Sequence, residues 1–270
     1  MISIIILSYR KAFLDNLLAS IEHTIGTEYE TIIINNANGQ YSICSAYNEG
    51  LSKSKFPYLC FVHEDVIFKT DNWGSTLVAE MRLNPRLGMI GVMGAQFKSK
   101  FPTGWYNPVN NCKYLVGNIF QGKNSQSEVD FMDYSPMGPQ KDLAVCLDGV
   151  FLFSTIVVFN QCRFDEQMLD GYHGYDLDIS LQVLSKGYQL MVNKGIHLFH
   201  YSTGSPDSRW EHYNNIISEK WKHFLPVGTS DSRNKLELAF REFETIHIHD
   251  KGPYIKKILL APFRLLRALF

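Results

Sequence analysis

The feature that most constrains this chain is its opening run. Residues Ile2 to Leu7 read Ile-Ser-Ile-Ile-Ile-Leu, almost wholly β-branched, with no polar alternation. A strand with one wet face alternates, whereas a continuous apolar run suits a sheet covered on both faces. The run is too short to span a bilayer, and no basic segment precedes it. It therefore reads as a buried first strand rather than a signal peptide.

The pattern after it agrees. Phe13–Thr24 places Leu14, Leu17, Leu18 and Ile21 at helical spacing. Glu30–Ile34 is a second β-branched run, stopped by Asn35-Asn36-Ala37-Asn38-Gly39, which are turn formers. Ile43–Ser52 predicts a helix, and Tyr58–Val62 a third strand ending in His63-Glu64-Asp65. Asp71–Leu83 predicts a helix closed by Asn84-Pro85, and Met89–Met93 a further strand. Such alternation predicts an α/β fold, Rossmann-like, with a mostly parallel central sheet and crossover helices. Phe97–Lys141, rich in Gly, Pro, Asn, Ser and Lys, predicts irregular chain with short strands at best. Val145–Val158 returns to strand patterns, broken by Asp148-Gly149. Leu177–Lys186 predicts a helix ended by Gly187, and Gln189–Val192 and Ile196–His200 two short strands. The expected organisation is one domain over 1–228 and a helical tail over 229–270.

Composition narrows the function classes. With 270 residues and 45% hydrophobic content the chain can bury a core. A net charge of −1 gives no electrostatic case for nucleic acid. Five cysteines, none in a C-x-x-C pair, argue against a disulfide framework or zinc knuckle and for buried thiols in a reducing cytosol.

In open α/β sheets, ligands sit beyond the carboxyl ends of the strands. Three polar clusters fall there: Ser8-Tyr9-Arg10, Asn35-Asn36 and His63-Glu64-Asp65. Carboxylates at a strand end suit a hard divalent ion that keeps positions open for phosphate; a strand ending in solvated charge explains them too. Asp176 and Asp178, after Gly171-Tyr172-His173-Gly174, open a predicted helix. Acidic residues are favoured there by the helix dipole, so capping accounts for at least one of them. His200 ends a short apolar strand and could complete a metal shell; His197 is the other candidate.

Taken together and in order, these motifs resemble the family-two glycosyltransferases with the GT-A fold, especially a bacterial subgroup. The resemblance covers roughly Met1 to Gly204. It rests on the Ser3–Arg10 strand, Ile32-Ile33-Ile34-Asn35-Asn36, Ala46-Tyr47-Asn48-Glu49-Gly50 and Phe61-Val62-His63-Glu64-Asp65-Val66. It continues through Leu147-Asp148-Gly149-Val150-Phe151, Gly174-Tyr175-Asp176-Leu177-Asp178 and His200.

The resemblance implies transfer of a sugar from a UDP- or GDP-sugar to a glycan or lipid-linked acceptor, with inversion. Ser8, Tyr9, Arg10, Asn35, Asn48, His63 and Glu64 would bind the donor nucleotide. Asp65 and His200 would hold Mn²⁺ or Mg²⁺. Asp148, Gly149 and Asp178 would lie on the acceptor side, and Asp176 would be the catalytic base. Two positions depart from the family pattern: Asn35 stands where an Asp reads the base, and His63 replaces the first Asp of D-x-D.

Tyr254–Phe270 sets Lys256, Lys257, Arg264 and Arg267 among Ile, Leu and Phe. A basic amphipathic helix reads as a membrane-surface element, which implies a cytoplasmic protein at the inner face of the cell membrane; a helix docked on the protein's own core is the other reading. A sugar nucleotidyltransferase would want a Gly-rich phosphate loop after the first strand, and none is present. A binding protein with a decayed site is the non-enzymatic alternative.

Overall fold

The computed structural model describes residues 1–105, 114–122, 130–202 and 208–229. The Tyr254–Phe270 tail and Cys112 lie outside the described residues.

The chain opens with β1 (Ile2–Ser8), α1 (Lys11–Thr24), β2 (Tyr29–Asn35), α2 (Ile43–Lys53) and β3 (Tyr58–Val62), then β4 (Val66–Phe68) and α3 (Trp73–Leu83). β5 (Leu87–Gly91), β6 (Met93–Ala95), β7 (Phe97–Lys98), β8 (Leu115–Gln121) and β9 (Asp130–Asp133) follow. β10 (Lys141–Ala144), β11 (Cys146–Leu147), β12 (Phe151–Thr155) and the short α4 (Ile156–Phe159) lead to α5 (Tyr175–Ser185). The described chain closes with β13 (Gln189–Asn193), β14 (Leu198–His200), α6 (Ser208–Lys220) and β15 (Val227–Gly228).

The main sheet of the described residues runs β10-β13-β5-β12-β3-β1-β2. β1, β2 and β3 are parallel, and β5 and β13 are parallel to each other. β12 is inserted antiparallel between β3 and β5, and β10 lies antiparallel at the edge. The sheet is thus mostly parallel, as the strand–helix alternation predicts.

β1 shows why its sequence does not alternate. Ile5 and Leu7 join one core cluster, with Tyr47, Phe61, Leu147 and Leu181. Ile2, Ile4 and Ile6 join the other, with Leu17, Ile21, Trp73 and Phe151. Each such side chain contributes roughly 1.5–3 kcal/mol when fully buried. The one polar member, Ser3, donates to Glu30 at 2.6 Å and accepts from the Phe56 N–H at 3.1 Å, so its burial leaves nothing unpaired.

A second sheet, β11-β6-β8-β14-β4 with β9 against β8, stands beside the first. Here the structure corrects the sequence reading. β8 is a seven-residue, largely buried strand inside the stretch expected to be irregular. Its signal is hidden by Gly117-Asn118. Gly117 has φ +112°, and a Cβ there would lie 2.2 Å from the Val92 carbonyl oxygen. Asn118 is buried because its amide donates to the Lys194 carbonyl at 3.2 Å. Met89–Met93, expected as one strand, divides between β5 and β6, which belong to different sheets. The thirteen-residue α6 has no counterpart in the sequence reading. Among the described residues, Cys44, Cys60, Cys146 and Cys162 are free and buried, and burial pushes the Cys146 thiol up to about 12. No helix of the described residues is long and apolar enough to cross a membrane.

Candidate active site

The carboxyl ends of β1, β2 and β3 meet at one edge of the main sheet. β12 runs the other way, with Phe151 opposite Val62, so the Asp148-Gly149 segment before it reaches the same edge as His63. The Val150 carbonyl accepts the His63 N–H at 3.1 Å and fastens the two together. In the second sheet β14 pairs antiparallel with β4, with His200 opposite Val66. That register sets His200 beside Asp65, and the Tyr201 N–H donates to the Asp65 carbonyl at 2.9 Å.

His63, Asp65 and His200 consequently form one cluster, with one ligand atom from each within 4.8 Å of the others. Desolvation alone would raise the Asp65 pKa. The hydrogen bond with His200, the neighbouring His63 and His200 rings and the Arg10 guanidinium outweigh it and bring the carboxyl down to about 2. Desolvation lowers the pKa of His63, keeping its imidazole neutral. An ionised carboxylate and a neutral imidazole are the forms that bind metal, so these residues fit a divalent cation. His197 takes no part: its ring packs edge-on against Phe120 and Phe131.

Next to the cluster is a cleft of about 120 Å³, lined by Leu7, Tyr9, Arg10, Ile43, Tyr47, His63, Glu64, Asp65 and Tyr172. Its floor is apolar, and exposed Tyr9 and Tyr172 flank it. Arg10 closes one end, its guanidinium over the rings of Phe13 and Tyr9 and 3.1 Å from Asp65. Glu64 is buried beneath. It accepts from the Ser8 hydroxyl at 2.7 Å and from the Tyr9 and Arg10 N–H groups at 3.1 and 3.0 Å. It also pairs with Arg10 Nε at 3.3 Å. Its lone pairs therefore shape the β1–α1 turn, and Ser8 is turned inward onto it.

The remaining candidates divide. Asn35 is exposed at the end of β2, where its side chain accepts from the Ala37 N–H at 3.0 Å. Its neighbour Asn36 is buried and donates to the Tyr172 hydroxyl at 2.8 Å, which ties the cleft wall to β2. Asn48 does not border the cleft. It donates to the Phe164 carbonyl at 2.8 Å and faces a separate open groove with Arg163, Gln182 and Trp221.

Asp176 stands in the first turn of α5. One oxygen accepts from the Leu177 N–H at 2.8 Å and the other from the Gly149 N–H at 3.3 Å. Desolvation and the neighbouring Asp148 charge raise its pKa to about 7. Asp148 accepts from the Val150 N–H at 2.7 Å. Asp178 is fully buried and points away. It accepts from Trp221 at 2.7 Å and Gln182 at 2.7 Å, and pairs with Lys220 at 2.8 Å.

Tyr175, not singled out in the sequence, links the two halves. Its buried hydroxyl lies 2.6 Å from His63 Nε2, and a Cβ on Gly149 would sit 2.0 Å from that oxygen. Tyr47 and Tyr172 are likewise not singled out there, although both lie within the motifs quoted, and Asn36 is read only as part of the polar end of the second strand. Their pairing partners are more than a hundred residues away or across the sheet, which no spacing reveals.

Structural similarity is found to GalNAc-T7 solved with UDP, GalNAc and Mn²⁺, with TM-score 0.55 and 12% identity over 95% of this chain. The match takes in 54% of that chain, so the present chain spans about half its length. At this identity the likeness is one of fold. A weaker likeness, TM-score 0.43 with 10% identity over 75% of this chain and 86% of the other, is to A197 from STIV. Among curated proteins no match is found. The model of the glycosyltransferase like family matches residues 4–221, which include every residue of the cluster, the cleft and the α5 turn. The chain belongs to that glycosyltransferase family and carries its GT-A fold.

Proposed function

We propose that the chain moves a sugar from a nucleoside diphosphate donor to an acceptor hydroxyl, with inversion, in the synthesis of a bacterial surface polysaccharide. The observation that carries this is the meeting of two unlike groups at one sheet edge. A cation-competent His63–Asp65–His200 cluster and a carboxylate with a pKa near neutrality are joined through Tyr175 and Gly149.

The donor's base and ribose fit the cleft between Tyr9 and Tyr172, and Arg10 faces its diphosphate. His63, Asp65 and His200 would hold a divalent cation, which would supply Lewis-acid stabilisation of the departing diphosphate. Asp176 accepts the proton of the acceptor hydroxyl as that oxygen bonds to the anomeric carbon and the bond to the diphosphate breaks. One displacement on the face opposite the leaving group inverts the centre. Two imidazoles and one carboxylate suit Mn²⁺ better than Mg²⁺, which prefers an all-oxygen shell. The UDP and Mn²⁺ named for the structural neighbour point the same way. A lipid-linked glycan at the cytoplasmic membrane face is the acceptor that the basic, apolar Tyr254–Phe270 segment suits.

A thermal-shift series of nucleoside diphosphates and nucleotide sugars, with and without Mn²⁺, tests the reading. Stabilisation by UDP or GDP that requires Mn²⁺ and disappears in Asp65→Ala is expected. A well-folded protein indifferent to every nucleotide refutes it. Donor turnover then separates an enzyme from a protein that only binds.

A further inference from the structure

Each histidine of the cluster has one ring nitrogen already engaged by a side chain from elsewhere in the fold. His63 Nε2 lies 2.6 Å from the Tyr175 hydroxyl, and His200 Nδ1 lies 3.3 Å from the Gln121 amide nitrogen. A neutral imidazole has one N–H and one lone pair, so fixing one nitrogen decides what the other can do. We propose that Tyr175 and Gln121 are positioning residues that select the nitrogen each histidine offers to the cation: Nδ1 of His63 and Nε2 of His200. The proposal rests on the cation-dependent reading above.

For His63, the proposed tautomer has Nε2–H donating to the Tyr175 oxygen, which leaves the lone pair on Nδ1. That oxygen has no room to withdraw. Its ring is buried against Tyr47 and Phe164, with centroids 5.9 and 6.3 Å away, and Gly149 leaves just enough space for the hydroxyl. For His200, Nε2 is the nitrogen aimed into the cluster, 3.4 Å from Asp65. It can bind a cation only when Nδ1 carries the proton, and then Gln121 must present its carbonyl oxygen. A half-turn of the carboxamide exchanges its oxygen and nitrogen at nearly the same positions. In the opposite orientation the amide donates to Nδ1, and the Nε2–H donates to Asp65, which gives a self-paired resting cluster. Gln121 is held in place by the sheet, because β8 runs parallel to β14 with Gln121 opposite His200. Cation entry is thereby linked to one amide rotation.

The test measures Mn²⁺ binding by the electron paramagnetic resonance signal of the free ion, in wild type, Tyr175→Phe, Gln121→Met and Gln121→Glu. Nitrogen-15 NMR of the histidine rings reports the tautomers in the same proteins. Removing a group that orients a metal-binding histidine typically weakens the metal 10- to 100-fold. We expect that loss in Tyr175→Phe and in Gln121→Met. Gln121→Glu, which can only accept, should bind at least as tightly as wild type. Wild-type His63 should report Nε2–H, and Tyr175→Phe a mixture of tautomers. Tighter Mn²⁺ binding in Tyr175→Phe would mean that Tyr175 competes for the ligand nitrogen and would overturn the proposal. Unchanged affinity and tautomers in both variants would overturn it while leaving the cation reading intact. No Mn²⁺ binding by wild type would overturn both.

Discussion

Asp176 and Asp178 stand two residues apart in the first turn of α5 and meet opposite environments. Both feel the same helix dipole, which favours a negative charge. Asp176 faces the β11–β12 turn, receives two backbone N–H groups, has no cation paired with it among the described residues, and lies near the Asp148 charge. Its pKa rises to about 7. Asp178 faces α6, is 1% exposed, and is met by Lys220, Trp221 and Gln182. The difference teaches that position on the helix does not decide the role of a carboxylate here. The neighbouring element does: one side of α5 keeps a proton acceptor, and the other locks α5 to α6.

The comparison breaks most visibly at Asp176. Asp176→Asn should lower turnover by about 10²–10⁴-fold with nucleoside diphosphate binding nearly unchanged, measured by single-turnover kinetics and calorimetry. Equal loss of both would remove Asp176 from the role of base. In wild type, turnover should rise as pH passes about 7 and then level. Stability should move the other way. A carboxyl whose folded pKa is raised stabilises fully below its unfolded value, near 3.8, and that contribution is lost as pH rises through about 7. Denaturation of wild type and Asp176→Asn between pH 4 and 8 should show the variant gaining relative stability. A constant difference would contradict the shifted pKa.

On the other face, Lys220→Met leaves Asp178 buried with an uncompensated charge. It should destabilise by about 3–5 kcal/mol in urea melts. Adding Asp178→Asn should recover most of that loss, and Asp178→Asn alone should leave turnover within a few-fold. A loss of turnover in Asp178→Asn as large as in Asp176→Asn would erase the distinction between the two faces. Gly149→Ala forces a methyl group onto the Tyr175 hydroxyl, and overpacking of this kind costs roughly 1–3 kcal/mol. Mn²⁺ binding should weaken with it. The smallest effect belongs to Glu64→Gln, which disturbs the hydrogen bonds holding the Ser8–Arg10 turn. It should destabilise by about 1–2 kcal/mol and raise the donor KM more than it lowers kcat. A pure kcat effect would place Glu64 in the chemistry rather than beneath the cleft.

The order of strands and helices from Ile2 to Leu83, apart from the three-residue β4, was legible because each segment carries its own period, and burial on both faces enforces it. The three polar strand ends followed from the same rule. His63-Glu64-Asp65 read as one motif, yet its members separate: Glu64 turns inward under β1, while His63 and Asp65 meet His200. Asp176 and Asp178 read as a pair, and only the packing of α6 and the β11–β12 turn tells them apart. β8 went unread because Gly117 and Asn118 are apolar in neither type nor period; only the close approach of Gly117 to Val92 and Met93 and the hydrogen bond of Asn118 to Lys194 explain them. Local periodicity is written in neighbouring residues. The pairing of Tyr175 with His63, of Gln121 with His200 and of Lys220 with Asp178 joins segments 42 to 112 residues apart. Such contacts arise from register between sheets and packing between helices, which is why the fold could be read from the sequence and the assignment of its charged groups required the tertiary structure.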